Sequence, residues 1–217
     1  MSVKPIGILG GTFDPVHHGH LRVALDVLEA LEFAEVRLLP SRQPPHRAMP
    51  GADSAQRLAM LTAGVANQAG LMIDRRELDR AGPSYMLDTL ASLRAELPTA
   101  SLCLLIGRDA FNELPTWHRW RELFHLAHFL VLERPGKVSP MPAELIAELS
   151  DRIVTDPTQL QQQCSGRVFA WQATQLDISA TRIRTLIGAG RSPRYLLPEV
   201  VFDYIQHHGL YQGPNQQ

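Results

Sequence analysis

Short apolar runs alternate along the chain with longer stretches in which apolar residues recur every three or four positions. Ile6-Gly7-Ile8-Leu9 reads as a buried strand, and Leu21, Ala24, Leu25, Leu28 and Leu31 follow at helical spacing. Val36-Arg37-Leu38-Leu39, stopped by Pro40, predicts a second strand. Ala55 to Val65 predicts the next helix, with Leu58, Leu61, Thr62 and Val65 on one face. Leu71-Met72-Ile73 is a short third strand. Pro83-Ser84 then opens a helix from Tyr85 to Glu96, with Met86, Leu87, Leu90 and Leu93 as its inner stripe and Pro98 beyond its end. Leu102 to Ile106, Phe129 to Leu132 and Val168 to Trp171 predict a fourth, fifth and sixth strand. Strand and helix in strict alternation build β-α-β units, so the expected fold is α/β: a doubly wound, mostly parallel sheet of about five or six strands covered by helices.

Two segments depart from that rhythm. Residues 135–163 are rich in proline and glutamine and weakly periodic, which predicts an insertion carrying one helix, Ala143 to Leu149. Ser179 to Ile187 and Glu199 to Gln206 predict two closing helices, separated by Gly188-Ala189-Gly190 and Pro193, in a small helical subregion near 179–211. At 217 residues the chain suits a single domain, 1–217, because one hydrophobic core commonly serves up to roughly 250 residues.

Composition narrows the classes of partner. Hydrophobic residues are 45% and charged residues 20% of the chain, which is the balance of a globular domain and not of a disordered one. A formal charge of -1 offers no overall field to nucleic acid or to anionic lipid, so any phosphate must be held by local groups. Cys103 and Cys164 lie far apart and outside any C-x-x-C pair, and no apolar stretch approaches the roughly 20 residues that cross a bilayer. The expectation is a cytoplasmic protein with neither a nucleic-acid nor a membrane partner; a homo-oligomer stays open.

The chemistry concentrates in Gly10-Gly11-Thr12-Phe13-Asp14-Pro15-Val16-His17-His18-Gly19-His20, which joins the first strand to the first helix. Open α/β sheets bind ligands at this end of a strand. Adjacent glycines let a phosphate approach backbone N–H groups, and the following helix presents roughly half a positive charge at its N-terminus. The spacing matches neither G-x-x-x-x-G-K-[ST] nor G-x-G-x-x-G, which disfavours a P-loop kinase and a hydride-transferring dehydrogenase. His17 and His20, three apart, point to one side of that helix end and can donate to phosphate oxygens. The plain alternatives are a tight turn with surface histidines, or a zinc cluster of His17, His18 and His20 that no cysteine or H-E-x-x-H pattern supports. Near the other end, Ile178-Ser179-Ala180-Thr181-Arg182-Ile183-Arg184 opens a helix capped by Ser179. The N–H groups of Thr181 and Arg182 are expected to be left for a ligand, with Arg184 one turn on.

Taken together, the Gly10–His20 turn and the Ile178–Arg184 helix resemble the nucleotidyltransferase superfamily, which pairs an H-x-G-H turn with an I-S-[ST]-T-x-x-R helix on a Rossmann-like sheet. Within it the chain most resembles the bacterial nicotinate-mononucleotide adenylyltransferases, from Ile8 to Tyr211. Further matching segments are Pro44-Pro45-His46-Arg47, Pro83-Ser84-Tyr85 with Thr89-Leu90, Ile106-Gly107-Arg108-Asp109, Pro115-Thr116-Trp117, and Leu197-Pro198 through Gly209-Leu210-Tyr211. The nearest alternatives are other members of the superfamily, such as one taking phosphopantetheine. A nucleotide-binding regulator without turnover is a further one.

The resemblance implies transfer of AMP from ATP to nicotinate mononucleotide, forming the deamido dinucleotide and pyrophosphate. It also implies magnesium held by the ATP phosphates, with no metal ligand from protein side chains. It assigns His17, His20, Thr181 and Arg184 to the phosphates and the charge developing on them. Gly10, Gly11, Thr12, Phe13, Gly107, Asp109, Ile178 and Ser179 go to ATP, although Asp109 also has the plain reading of a helix cap. His46, Arg47, Ser84, Tyr85, Thr89, Trp117 and His118 go to the mononucleotide, with Trp117 stacking on the pyridine ring and backbone N–H groups near Tyr85 and His118 holding its carboxylate. Three positions depart from the family pattern: Met86 and Ala180 stand where a hydroxyl side chain is usual, and His118 where tyrosine often follows the tryptophan.

Overall fold

The computed structural model describes residues 4–42, 51–133, 140–174 and 176–213. Its strands are β1 (Ile6–Gly11), β2 (Glu35–Pro40), β3 (Leu71–Ile73), β4 (Leu102–Gly107), β5 (His128–Glu133), β6 (Ile153–Val154) and β7 (Val168–Gln172). The helices are α1 (His18–Ala30), α2 (Ser54–Val65), α3 (Arg76–Asp79), α4 (Met86–Glu96), α5 (Arg108–Asn112), α6 (Leu123–Leu126), α7 (Ala143–Glu148), α8 (Ala180–Gly188) and α9 (Glu199–His207). All strand pairs are parallel, and the seven strands lie in the order β3-β2-β1-β4-β5-β7-β6.

Side-chain alternation splits the core into two layers. Along β4, Cys103 and Leu105 face the first layer while Leu102, Leu104 and Ile106 face the second; along β5, Leu130 and Leu132 oppose Phe129 and Val131 in the same way. Ala24 and Val27 of α1, Met60 and Leu61 of α2, Ile183 of α8 and Val201 and Ile205 of α9 fill the first layer. Leu87, Leu90 and Leu93 of α4 fill the second, with Phe111, Leu123 and Leu145. Burial on both faces is why these strands read as continuous apolar runs.

Two sequence expectations are corrected. The sheet has seven strands, because residues 153–154 form an edge strand beside β7 inside the segment read as an insertion. The helix expected in that segment is α7, and Leu145, Leu149 and Leu160 are buried. The inner face of α2 is Arg57, Met60, Leu61 and Val65; Thr62 is exposed and returns its hydroxyl to the Leu58 carbonyl at 2.8 Å.

What matters for a ligand is where strands part. β1 pairs with β2 out to Gly11↔Pro40, whereas its pairing with β4 ends at Ile8↔Leu104. Past that point β4 follows β5, out to Gly107↔Leu132. Gly10–Gly11 and Gly107 therefore stand at the carboxyl ends of two diverging strands, at the place where strand order reverses.

Candidate active site

The turn after β1 is shaped by what its small residues admit. Phe13 adopts a left-handed backbone at φ 48 with its ring fully buried, which anchors the loop from below. His17, the residue before α1, is 5% exposed, and its ring stacks on that of His20 at 3.6 Å between centroids and 20° between planes. His20 in turn meets Phe13 edge-on at 5.0 Å. Gly19 makes the stack possible, since a Cβ there would stand 3.0 Å from Nδ1 of His17. Burial, with His18 as a neighbour, lowers the pKa of His17 to about 4, so near neutral pH it is an uncharged imidazole that donates through one N–H. Its Nδ1 is buried without a hydrogen-bond partner.

The C-terminal motif meets this turn directly. Nη1 of Arg184 donates to the Asp14 carbonyl at 2.7 Å and lies 3.6 Å from its carboxylate, and Nη2 lies 3.4 Å from the Thr181 hydroxyl. A Cβ on Gly19 would also stand 3.6 Å from the Ile178 carbonyl oxygen, so the start of the second motif abuts the H-x-G-H turn. Ser179 caps α8 as expected, but its hydroxyl accepts the Arg182 N–H at 3.2 Å. The expectation for Arg182 is thereby corrected: the first turn of α8 keeps only the N–H groups of Ala180 and Thr181 without an intrahelical acceptor.

At the end of β4, Gly107 is exposed and Asp109 is an exposed residue of the first turn of α5. The residue before α5 is Gly107 and no side chain caps that helix, so the plain reading of Asp109 as a cap does not describe it.

The segments expected to take the mononucleotide cluster on the α4 side. Tyr85 and His118 stand 4.9 Å apart between ring centroids. Trp117 is half-buried against the second core layer. The methyl of Met86 lies over Gly10, 3.0 Å from where a Cβ would begin, and so links this cluster to the phosphate loop. Ser84 accepts the Arg42 N–H at 3.1 Å. Thr89 is fully buried and donates its hydroxyl to Glu77 at 2.8 Å, which makes it a support beneath the cluster and takes its hydroxyl away from solvent. His46 and Arg47 lie outside the described residues.

Sequence reasoning missed the residues that hold these pieces in place. Arg57 is 1% exposed and donates to the Thr12 carbonyl at 2.7 Å, with its other end on Ser54 and the Arg42 carbonyl. Burial pushes its pKa down, opposed by the nearby Asp14, Tyr211 and Asp53. Glu77 is 4% exposed beneath Ser84 and Thr89, and burial pushes its carboxyl upward. Only the helical phase could have signalled Arg57: it lies four residues before Leu61, on the stripe that the sequence reading centred one position away.

As a chemical object, the crevice offers amide N–H groups, two stacked imidazoles and a guanidinium. Such a donor set fits phosphate oxygens. Asp14, the buried carboxylate beside it, is enclosed by donors from other segments. Among the described residues no group of three or more His, Cys, Asp or Glu side chains is placed to hold a metal ion, and no helix is long and apolar enough to cross a membrane.

Residues 8–186 match the cytidylyltransferase-like family. A relative from Methylococcus capsulatus, described as a probable nicotinate-nucleotide adenylyltransferase, is 52% identical over 95% of this chain and 99% of its own length. One from Pseudomonas syringae pv. tomato with the same description is 53% identical over 98% and 96%. Among solved structures, the nicotinic acid mononucleotide adenylyltransferase of Plasmodium falciparum complexed with NaAD superposes with a TM-score of 0.72 at 17% identity. That match covers 96% of this chain and 97% of the other, and it speaks for the shared fold.

Proposed function

The chain belongs to the cytidylyltransferase-like family, among its nicotinate-nucleotide adenylyltransferases, and from that membership we propose how its site performs the reaction. It transfers AMP from ATP to nicotinate mononucleotide, giving nicotinate adenine dinucleotide and pyrophosphate. An oxygen of the mononucleotide phosphate attacks the α-phosphorus of ATP in line. The bond from that phosphorus to the β,γ-pyrophosphate breaks as the new one forms, and the pyrophosphate leaves with its electrons. No protein nucleophile is needed: Cys103 is buried with its thiol pushed upward by burial, and Cys164 donates to the Thr99 carbonyl.

The residues act by positioning and by meeting charge. The N–H groups of Gly11, Thr12 and Phe13 and the N-terminus of α1 line one side of the triphosphate, with Gly10 at the base of the turn. Ile178, Ser179, Thr181 and Arg184 line the other. His17 and His20 donate toward the oxygens on which charge builds. Because His17 is neutral at working pH, its contribution is a directed N–H and not a fixed cation. Gly107 and Asp109 take the adenosine side, where the Asp109 carboxylate accepts from ribose hydroxyls. Trp117 stacks on the pyridine ring, and backbone N–H groups near Tyr85 and His118 meet its carboxylate beside Ser84; His46 and Arg47, which lie outside the described residues, are assigned to phosphate. Thr89 supports this group through Glu77. Holding both substrates in attack geometry supplies roughly 7 to 11 kcal/mol of barrier reduction, and one preorganised donor roughly 3 to 4.

A divalent cation, magnesium in our reading, would come held by the ATP phosphates and would supply positive charge against the charge that leaves with pyrophosphate. The donor set would fit a metal carried in by the nucleotide, since it offers N–H groups and the adjacent Asp14 carboxylate already accepts from Gly51, Ala52 and Tyr211. The two free cysteines agree with a reducing cytoplasm. We read the chain as one catalytic unit, with Ile153–Val154 completing its sheet edge.

The observation that carries this reading is Arg184 on the Asp14 carbonyl, which brings two motifs from opposite ends of the chain to one crevice. The test mixes protein, ATP and magnesium with nicotinate mononucleotide, nicotinamide mononucleotide or phosphopantetheine, and measures pyrophosphate and product mass. A dinucleotide formed preferentially from the nicotinate substrate is expected. Turnover with phosphopantetheine alone, or none with any acceptor, would refute it.

A further inference from the structure

The Asp14 carboxylate is a meeting point that the reaction itself does not call for. It is 4% exposed and gathers donors from three other segments of the chain. Gly51 donates its N–H to Oδ2 at 2.8 Å and Ala52 to Oδ1 at 3.1 Å, which brings in the approach to α2. Arg184 of α8 pairs with Oδ2 while holding the Asp14 carbonyl. Tyr211, past the end of α9, donates its hydroxyl to Oδ1 at 2.6 Å across 197 positions of sequence. The Tyr211 ring lies against Gly51, where a Cβ would come within 3.1 Å of it and 3.7 Å of the Arg184 side chain, so a larger residue there would press on the ring. Tyr211 also holds a left-handed backbone, φ 63, an unfavourable conformation for a tyrosine that its surroundings maintain.

On the reading of Arg184 given above, we propose that Tyr211 and Asp14 are positioning residues: they lock the Arg184 guanidinium against the phosphate loop in the orientation that meets the ATP phosphates. Nη1 is held by both the carbonyl and the carboxylate of one residue, so the plane of the guanidinium is set, and Nη2 reaches the Thr181 hydroxyl. Tyr211 fixes the other oxygen of the same carboxylate and prevents that carboxylate from turning with Arg184. Burial and the adjacent carboxylate keep the phenol protonated, so it is a donor at every working pH. Arg57, whose guanidinium takes the Thr12 carbonyl, grips the loop two residues earlier. The negative charge of Asp14 thus faces two cations, one buried and one at the site.

The decisive variant is Tyr211→Phe, which keeps the ring and its packing and removes one hydroxyl. In the wild-type background we expect kcat/KM for ATP and the affinity for ATP each to fall about tenfold, the loss expected for one charge-assisted hydrogen bond. The KM for nicotinate mononucleotide should stay unchanged. In an Arg184→Ala background the same substitution should change neither quantity, because Tyr211 acts through Arg184. A merely structural role would give equal losses in both backgrounds. Binding is read by calorimetry with ATP and turnover by pyrophosphate release, and the thermal midpoint of each protein shows that it is folded. Equal losses in the two backgrounds, or no loss in either, overturn the lock. A chain that transfers nothing to the mononucleotide, yet shows the background-dependent loss of ATP affinity, overturns the substrate assignment and supports the lock.

Discussion

His17 is kept as a neutral imidazole, and the free energy of charging it gives a pH dependence that can be isolated. In the unfolded chain this imidazole takes up a proton near pH 6.5, whereas in the folded protein burial and the neighbouring His18 hold it to about 4. Between those values the unfolded chain binds more protons than the folded one. The stabilisation is therefore complete above pH 6.5, declines as pH falls, and is gone below the folded pKa of about 4. Where the difference approaches one proton, linkage gives a slope of about 1.4 kcal/mol per pH unit, and across the whole window a loss of about 3 kcal/mol. Urea unfolding of the wild type and of His17→Asn at pH 7.5, 6.5, 5.5 and 5.0 reads this term as a difference. His128, also lowered by burial, and Glu77, raised by it, titrate alike in both proteins and cancel. The wild type should lose about 1 kcal/mol more per pH unit than the variant below pH 6.5. Parallel pH profiles for the two proteins would refute the buried, neutral imidazole. The same difference reports on the ligand: a bound polyphosphate favours the protonated ring, so ATP binding at pH 5.5 should take up protons in the wild type and fewer in His17→Asn. Calorimetry in buffers of different ionisation enthalpy measures that uptake.

Gly19→Ala sets the helix preference of alanine against a methyl pressed on the buried His17 ring, so stability should change by no more than about 1 kcal/mol in either direction. Turnover should fall about a hundredfold, and a thermal midpoint measured beside kcat separates the two effects. Arg57→Met should cost about 2 to 4 kcal/mol in urea unfolding, because the Thr12 and Arg42 carbonyls and the Ser54 hydroxyl lose a shared donor; a change below about 0.5 kcal/mol would mean that water replaces it. Trp117→Ala should raise the KM for nicotinate mononucleotide about tenfold with a smaller effect on kcat, and equal effects on both constants would remove it from the pyridine site.

The layers of the fold were legible because both faces of the sheet are buried and its strands are unbroken apolar runs. Strand β6 was not: Ile153–Val154 spans two residues, and Ile153 is 59% exposed, so no period exists to be read. The phase of α2 was misjudged by about one residue for a different reason. A guanidinium occupies an interior position, and a reading that assigns arginine to solvent turns the helix to suit. Ser179 shows the same limit at closer range. That it caps α8 is written in its neighbours, but which N–H it takes depends on the rotamer of one hydroxyl.

The groups proposed to meet the ligand were legible and the groups that hold them were not, and the asymmetry has a physical origin. Several atoms of one phosphate must be met within a few ångströms, so a single turn supplies them and its glycines and histidines fall at fixed short spacings. A supporting contact has no such constraint. Asp14 must find a donor of the right reach, and it does not matter whether that donor is 37 positions away, as Gly51 is, or 197, as Tyr211 is. Asp14 and Tyr211 both stand inside stretches that resemble the family, yet nothing in either stretch names the other. The contact appears only once the sheet has brought the end of β1, the start of α2, α8 and the segment after α9 to one place. A substitution at Tyr211 should then be felt in ATP turnover although no local pattern connects that residue to the phosphate loop.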